Sequence, residues 1–239
     1  MAKIKETIIL VMPVYNEELY IGKTVLSWIK LLNSFPGSEI LVIDDGSIDK
    51  TSKILDLLVL KFPILKIVHK KNEGHGKTIL TGYQKAVLSR HEWVFQTDGD
   101  GHYRPSDFYA LWRERQNSDF ILGQRQKRQD PFFRIVLSKL VSFWIFILFG
   151  VYIKDTNIPF RLIRRQYLKK ILKRIPNEIF APNIFLSILA KKDGHILQQI
   201  PVTHKFRKKS HPNTVKIIRG AMKGFFELLL FKSSQKGTL

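Results

Sequence analysis

Glu92-Trp93-Val94-Phe95-Gln96-Thr97-Asp98-Gly99-Asp100-Gly101-His102 sets an apolar run hard against two carboxylates on a glycine turn. The run has the length and content of a buried strand. The turn after it places Asp98 and Asp100 one residue apart, a spacing that lets both converge on a hard divalent cation, although Asp and Gly also favour turns for purely local reasons. Toward the N-terminus the same pattern recurs. Apolar runs Thr7 to Val14, Glu39 to Asp45 and Leu65 to His69 alternate with amphipathic stretches from Glu17 to about Asn33, from Lys50 and from Gly76. A β-α-β-α-β-α-β order implies an α/β protein with a mostly parallel sheet and helices on both faces. Ligands of such sheets bind outside the carboxyl ends of the strands. That rule selects Asn16 and Glu17, Asp44 and Asp45, Asn72, and Asp98 to Asp100.

Toward the C-terminus the pattern loosens. Ser118 to Gly123 and Pro159 to Ile163 read as strands, Pro131 to Ile153 as a helix or broken helix pair, and Arg165 to Arg174 and Ile179 to Lys191 as helices. A strand over His195 to Phe206 and a last helix over Val215 to Phe231 complete the reading. With no repeat or Gly/Ser linker, one domain with a C-terminal elaboration is expected: residues 1–206, divided near 125, followed by a basic loop and amphipathic helix over 207–239.

The chain has 239 residues, 44% of them hydrophobic and 25% charged, enough apolar material for a substantial core and too much for a disordered chain. Zero cysteines exclude a disulfide framework, a thiolate zinc site and a thiol nucleophile, and suit a reducing compartment. The N-terminal apolar run is short, contains Pro13 and meets Glu17 and Glu18 at once, unlike a signal peptide. The most apolar stretch, Leu140 to Ile153, is shorter than the roughly 20 residues a bilayer-spanning helix needs. A buried or interfacial helix is expected there. Residues 1–103 hold 13 basic and 12 acidic side chains, whereas residues 104–239 hold 27 and 8. The second half should therefore face something anionic. A nucleic acid fits poorly, because no recognised binding motif is present and the acidic strand ends would repel it.

Two further segments carry chemistry. Asp44-Asp45-Gly46-Ser47-Ile48-Asp49-Lys50-Thr51 leaves a strand and enters a helix; Ser47 or Asp49 suits its N-cap, while an acid beside it suits a nucleobase or ribose. Asn72-Glu73-Gly74-His75-Gly76-Lys77-Thr78 lacks the earlier glycine of a P-loop, leaving a flexible turn with one lysine at a helix N-terminus.

Together with Pro13-Val14-Tyr15-Asn16-Glu17-Glu18, Asp98-Gly99-Asp100 and Gly123-Gln124-Arg125, these segments resemble, in order and spacing, the family 2 glycosyltransferases of GT-A fold, a Rossmann-like architecture. The resemblance covers the first 125 residues and implies a nucleotide-sugar donor, GDP- or UDP-linked. It places Pro13, Tyr15, Glu17, Asp44 and Asp45 at the nucleoside, Lys77 near the phosphates, and Asp98 and Asp100 at metal and diphosphate, with Mg²⁺ or Mn²⁺ as the cation. Members near dolichyl-phosphate mannose synthase carry Asp-x-Asp-x-Gln. Here His102 takes the Gln position, as a metal ligand better suited to Mn²⁺ or as a turn histidine.

Asp155-Thr156-Asn157-Ile158-Pro159-Phe160-Arg161 resembles the Asp-Thr-x-x-Gly-Phe-Arg element of the polyprenyl-phosphate glycosyltransferases, and His204-Lys205-Phe206-Arg207 their His-x-x-Arg. Arg125, Arg207 and His204 are thus expected at an acceptor phosphate, with Asp100, Arg125 and Arg207 as the catalytic set. Many sugar-acceptor relatives carry a Glu-Asp pair in a helix corresponding to Ile179–Lys191; this one lacks it and leaves only Glu178 ahead of it. A polyprenyl phosphate, already anionic, needs little or no base. It is therefore the expected acceptor, with a saccharide or other soluble acceptor as the alternative. The basic run from Arg161, Arg164 and Arg165 to Lys169, Lys170, Lys173 and Arg174, with Lys205 to Lys209, would face an anionic membrane surface at about 1 kcal/mol per cation. Phe143 to Phe149 and the C-terminal helix would lie in that surface as interfacial helices. The expected site of action is the cytoplasmic face of a membrane, held peripherally.

Overall fold

A computed structural model describes residues 6–126, 132–195, 198–205 and 214–236. Seven strands form one sheet: β1 (Ile8–Val14), β2 (Glu39–Asp44), β3 (Leu65–His69), β4 (Trp93–Thr97), β5 (Phe120–Gln126), β6 (Phe160–Arg164) and β7 (Gln198–Thr203). Their order is β3-β2-β1-β4-β6-β5-β7. Every pairing is parallel except those of β6, which runs antiparallel to both β4 and β5. The sheet is mostly parallel, as the alternation of apolar runs and helices requires, and the reversed β6 comes from the less regular second half.

All seven residues of β1 and all five of β4 are buried, which fits strands covered on both faces. One cover is aromatic. Trp28 of α1 (Ile21–Leu32) lies 5.2 Å from Phe95, which also meets Phe108 of α4 (Phe108–Arg113) and Phe160, each at 4.9 Å. On the other face α3 (His75–Leu88) lies so close that a Cβ on Gly82 would strike Val11. The remaining helices are α2 (Thr51–Val59), α5 (Phe132–Phe149), α6 (Arg165–Leu172), α7 (Pro182–Lys192) and α8 (Thr214–Lys236).

Three departures from the sequence reading, two boundaries and one helix, have physical reasons. The first helix begins at Ile21 rather than Glu17, because Asn16 takes a left-handed conformation (φ 53°) and turns the chain before the helix starts. α5 is one helix that stops at Phe149, where Gly150 (φ 69°) ends it; residues 151–153 are not helical. α4 was not expected, since six residues that bury only Phe108 and Leu111 give too short a period to read.

Candidate active site

At the carboxyl ends of β1, β2 and β4, as the strand rule requires, lies a cavity of about 430 Å³. β1 and its exit supply Pro13, Val14, Tyr15 and Glu17; the end of β2 supplies Asp45; the turn into α3 supplies Asn72, Gly74, His75 and Thr78; the end of β4 supplies Asp98, Gly99 and Asp100. Gly99 is required where it stands. A Cβ there would lie 2.7 Å from Val14 Cγ2 and 3.2 Å from Ile21 Cδ1, so only glycine lets the acidic turn settle against β1 and α1. Gly76 is required likewise, because a Cβ would overlap the carbonyls of Ile179 and Phe180. His75 and Thr78 belong to the segment 72–78, from which the sequence singles out only Asn72 and Lys77; their place in the first turn of α3 is what brings them to the cavity.

Asp98 and Asp100 share the cavity floor. Burial, and then the neighbouring Asp100 charge, lifts the Asp98 carboxyl well above the ordinary carboxylate range. Asp98 Oδ1 is buried with no hydrogen-bond partner. An orphaned carboxylate oxygen beside a second acid fits a hard cation, which is commonly held by one or two carboxylates and completed by substrate phosphates and water. No group of three or more His, Asp or Glu side chains that could hold a metal converges among the described residues, so His102, expected as a third ligand, is not brought together with Asp98 and Asp100 in that way. His102 lies against Asp100, its Nδ1 3.0 Å from Oδ2 while its backbone N–H donates to Oδ1 at 3.0 Å. His204 joins them, its ring centroid 5.1 Å from that of His102 and 5.3 Å from Tyr103. Lys205 N–H donates to the His102 carbonyl, so the chain leaving β7 sets out from the acidic turn. Arg207, expected at the acceptor phosphate, lies outside the described residues, as do Lys208 and Lys209.

The two adjacent acids at the end of β2 have different tasks. Asp45 reaches the cavity, where Oδ1 accepts from Lys70 Nζ at 2.5 Å and Glu73 N–H at 3.0 Å, and Oδ2 from Gly74 N–H at 2.9 Å. Asp44, expected at the nucleoside, is turned away and 1% exposed. Its Oδ1 accepts from Ser47 N–H and Oγ, and its Oδ2 from Ser52 Oγ and His69 Nδ1. Burial alone would raise its pKa, but those hydrogen bonds outweigh burial and hold it below the ordinary value. Lys77 also departs from expectation. It does not line the cavity but pairs with Glu73 at 2.9 Å and Glu178 at 3.4 Å on the surface. Hydrogen bonds from Lys70 and Lys77 hold the Glu73 carboxyl down to about 2.

A second cavity, about 460 Å³, opens between the end of β5, α5 and the segment before β6. Arg125 stands at its edge, its Nε and Nη2 each 2.8 Å from an oxygen of buried Asp155. Lys139 and Lys154 add cations, and Phe143, Phe146 and Tyr152 supply an apolar wall. The two lysines were missed by the sequence reading; each sits beside an apolar run, which was the only trace of them. The cavities are close enough for the Arg125 charge to bear on Asp98.

The basic run of the second half divides on inspection. Lys169, Lys170 and Lys173 are exposed, but Arg161 is wholly buried and donates to the carbonyls of Thr156, Ile158 and Asn183. Arg164 pairs with Asp119 and Glu92 over the Trp93 ring, Arg165 donates to the His91 carbonyl, and Arg174 pairs with Asp193. These four arginines hold the fold rather than a membrane. The apolar side chains of that expectation are partly exposed. α5 exposes Phe143, Trp144, Phe146 and Ile147, and α8 exposes Met222, Phe226, Leu229 and Leu230, while Trp144 meets Phe225 at 5.0 Å to join the helices. No helix among the described residues is long and apolar enough to cross a membrane.

The chain is 25% identical over 245 residues to the UDP-N-acetylglucosamine--dolichyl-phosphate N-acetylglucosaminyltransferase of Methanococcus voltae, covering 94% of this chain and 96% of that one. It is 28% identical over 213 residues to the polyprenol monophosphomannose synthase of Mycolicibacterium smegmatis, covering 84% and 78%. Among solved structures, glucosyl-3-phosphoglycerate synthase from Mycobacterium tuberculosis, in complex with Mn²⁺, uridine diphosphate and glucosyl-3-phosphoglycerate, superposes with a TM-score of 0.70 at 15% identity over 97% of this chain and 81% of that one, a likeness of fold. The profile described as Glycosyl transferase family 2 matches residues 9–183, a span that runs from β1 through both cavities into α7. The chain therefore belongs to glycosyl transferase family 2, as an enzyme of the GT-A fold.

Proposed function

We propose that this enzyme transfers a hexose from a GDP- or UDP-linked donor to a polyprenyl phosphate at a membrane surface, with inversion at the anomeric carbon. The observation that carries the proposal is the second cavity, next to the donor cavity, where Arg125, Lys139 and Lys154 sit beside an aromatic wall to which α5 contributes Phe143 and Phe146. That combination suits an amphiphile with an anionic head. The names of the two relatives, one a dolichyl-phosphate and the other a polyprenol-phosphate sugar transferase, support the same acceptor class.

In the donor cavity Tyr15, Glu17 and Asp45 would receive the nucleoside, and Asp98 and Asp100 would hold Mg²⁺ or Mn²⁺, which when bound neutralises charge on the departing diphosphate. Asp155 fixes the plane of the Arg125 guanidinium and so aims it, with Lys139 and Lys154, at the acceptor phosphate. A phosphate oxygen forms the new bond to the anomeric carbon from the face opposite the nucleoside diphosphate, whose own bond to that carbon breaks. The attacking oxygen carries its charge already, so no proton must be removed. α7 accordingly supplies no Asp or Glu, and Glu178 is engaged with Lys77 at the surface. Arg207 and His204 are proposed at the same phosphate.

Incubation of the purified chain with Mn²⁺ or Mg²⁺, labelled GDP- and UDP-sugars and polyprenyl phosphate, followed by counting of the organic extract, tests this. Label in the organic phase is expected. Donor consumed without lipid label would transfer the proposal to a saccharide or other soluble acceptor.

A further inference from the structure

His69 is the last residue of β3, and its register partner is Asp44, the last residue of β2. Its imidazole stands between two carboxylates, with Nδ1 2.8 Å from Asp44 Oδ2 and Nε2 3.1 Å from Asp56 Oδ1 on α2. None of these three groups lines the donor cavity. From Asp44, however, a continuous run of hydrogen bonds leads to it. Ser47 donates both its N–H (3.1 Å) and its hydroxyl (2.6 Å) to Asp44 Oδ1. With its proton so committed, the Ser47 oxygen turns a lone pair to the Asn16 N–H, which donates at 3.0 Å. Asn16 Oδ1 returns the contact by accepting from Ile48 N–H at 2.9 Å. Asn16 is the left-handed residue between Tyr15 and Glu17, both of which form the cavity wall.

We infer that His69 is a positioning residue for the nucleotide donor, acting through Asp44 and Ser47 to fix the backbone at Asn16 and with it the Tyr15 and Glu17 wall. This rests on the donor-cavity reading given above. A left-handed Asn costs conformational energy that its surroundings must offset, and a carboxylate that orients one hydroxyl between two partners is a means of doing so. His69 secures the other oxygen of that carboxylate together with Ser52. Without the imidazole, that oxygen of Asp44 keeps only Ser52, the carboxylate is held toward Ser47 less firmly, and the wall loses part of its fixed geometry although no residue touching donor has changed.

The test is nucleoside diphosphate binding, UDP and GDP each measured calorimetrically with Mn²⁺, together with steady-state kinetics of the full chain. His69→Ala is expected to weaken nucleotide binding and raise donor KM about three- to tenfold, the effect of one hydrogen bond, with kcat and acceptor KM unchanged. His69→Asn should restore binding, because its amide nitrogen stands where imidazole Nδ1 does, whereas His69→Gln reaches only toward Asp56 and should not. Ser47→Ala should weaken binding similarly, and the His69→Ala, Ser47→Ala double variant should be no worse than the weaker single variant, since both cut one relay. Nucleotide bound equally well by His69→Ala and the unaltered chain overturns the relay alone, as does a fully multiplicative double variant. Failure of the unaltered chain to bind either nucleotide overturns the donor reading, and the relay with it.

Discussion

The two cavities use charge in opposite ways. Around the donor cavity nearly every motif side chain is tied to another loop: Glu17 N–H to Thr51 Oγ1, Glu18 N–H to Asp49, Lys50 N–H back to Glu18, and Lys70 to Asp45. Acids predominate there: Glu17, Asp45, Asp98 and Asp100 line the cavity, and Lys70 answers Asp45 from beside it. Around the second cavity cations exceed acids, Asp155 alone answers Arg125 among the lining residues, and the surroundings are aromatic. A rigid, acidic wall suits a small, highly charged ligand that is held in one pose through a cation. Cations on an apolar face suit a long ligand of which only the head needs fixing.

The sharpest break of this contrast is Asp100→Asn. It removes one of the two acids available to a cation while leaving the wall intact, so transfer should fall by about 10³ or more with thermal stability and vesicle binding unchanged. Retained activity would mean that the leftover acidic charge has another purpose. Next in size is a contrast within the basic half. Arg161→Ala would take both guanidinium donors from the Ile158 carbonyl, leave those of Thr156 and Asn183 to Ser187, and open a cavity in the core, and should cost about 3 kcal/mol of stability by denaturant titration. Lys169→Ala, on an exposed site, should stay within about 0.5 kcal/mol. Equal losses from the two would undo the division of that half into structural arginines and surface lysines.

How legible these differences were in the sequence depends on periodicity. β3 was read to the residue, and the acids at three strand ends were found because a strand must end where its ligand begins. Asp44 and Asp45 could not be told apart, since adjacent side chains leave a strand on opposite sides and nothing local says which side holds the ligand. Arg161 was misassigned for the converse reason. Charge alone does not say which face of β6 a residue occupies; the register puts Phe160 and Leu162 on one face and Arg161, beside Gln96, on the other. Pairings such as Arg125 with Asp155, 30 residues apart, arise only when the sheet closes, and no spacing announces them.

A smaller effect is expected at the apolar face. Phe146→Ser and Phe226→Ser each remove an exposed ring, from α5 and α8 respectively, and each should weaken binding to anionic vesicles by about tenfold or somewhat more if the ring enters the lipid. Both variants should fold and bind nucleotide normally, because neither side chain belongs to the donor wall. Unchanged vesicle affinity in both would separate the second cavity from any membrane.

The smallest effect concerns pH, and in the donor half it centres on Asp44 and His69. Asp44 has a pKa held below the ordinary value, since its hydrogen bonds outweigh burial. Its contribution to stability is therefore present above the ordinary carboxylate range and is lost as pH falls through its folded value, below about 4. For His69 burial opposes the charged form, but the hydrogen bonds to Asp44 and Asp56 prevail and raise its pKa. Its contribution is fully present below the ordinary histidine value of about 6.5 and is lost as pH rises through the higher folded value. The pair thus stabilises most between those limits. The imidazole is 43% exposed, so the effect is screened and modest. Melting temperatures of the unaltered chain should decline as pH rises from 6 to 9, and His69→Asn should flatten that decline while leaving the acid limb in place. Asp44→Asn should shrink the acid limb, to which Asp49 and Glu73 also contribute, and remove much of the alkaline one. A decline that survives His69→Asn would place the titrating group elsewhere and leave the donor wall's dependence on β3 to the binding measurements alone.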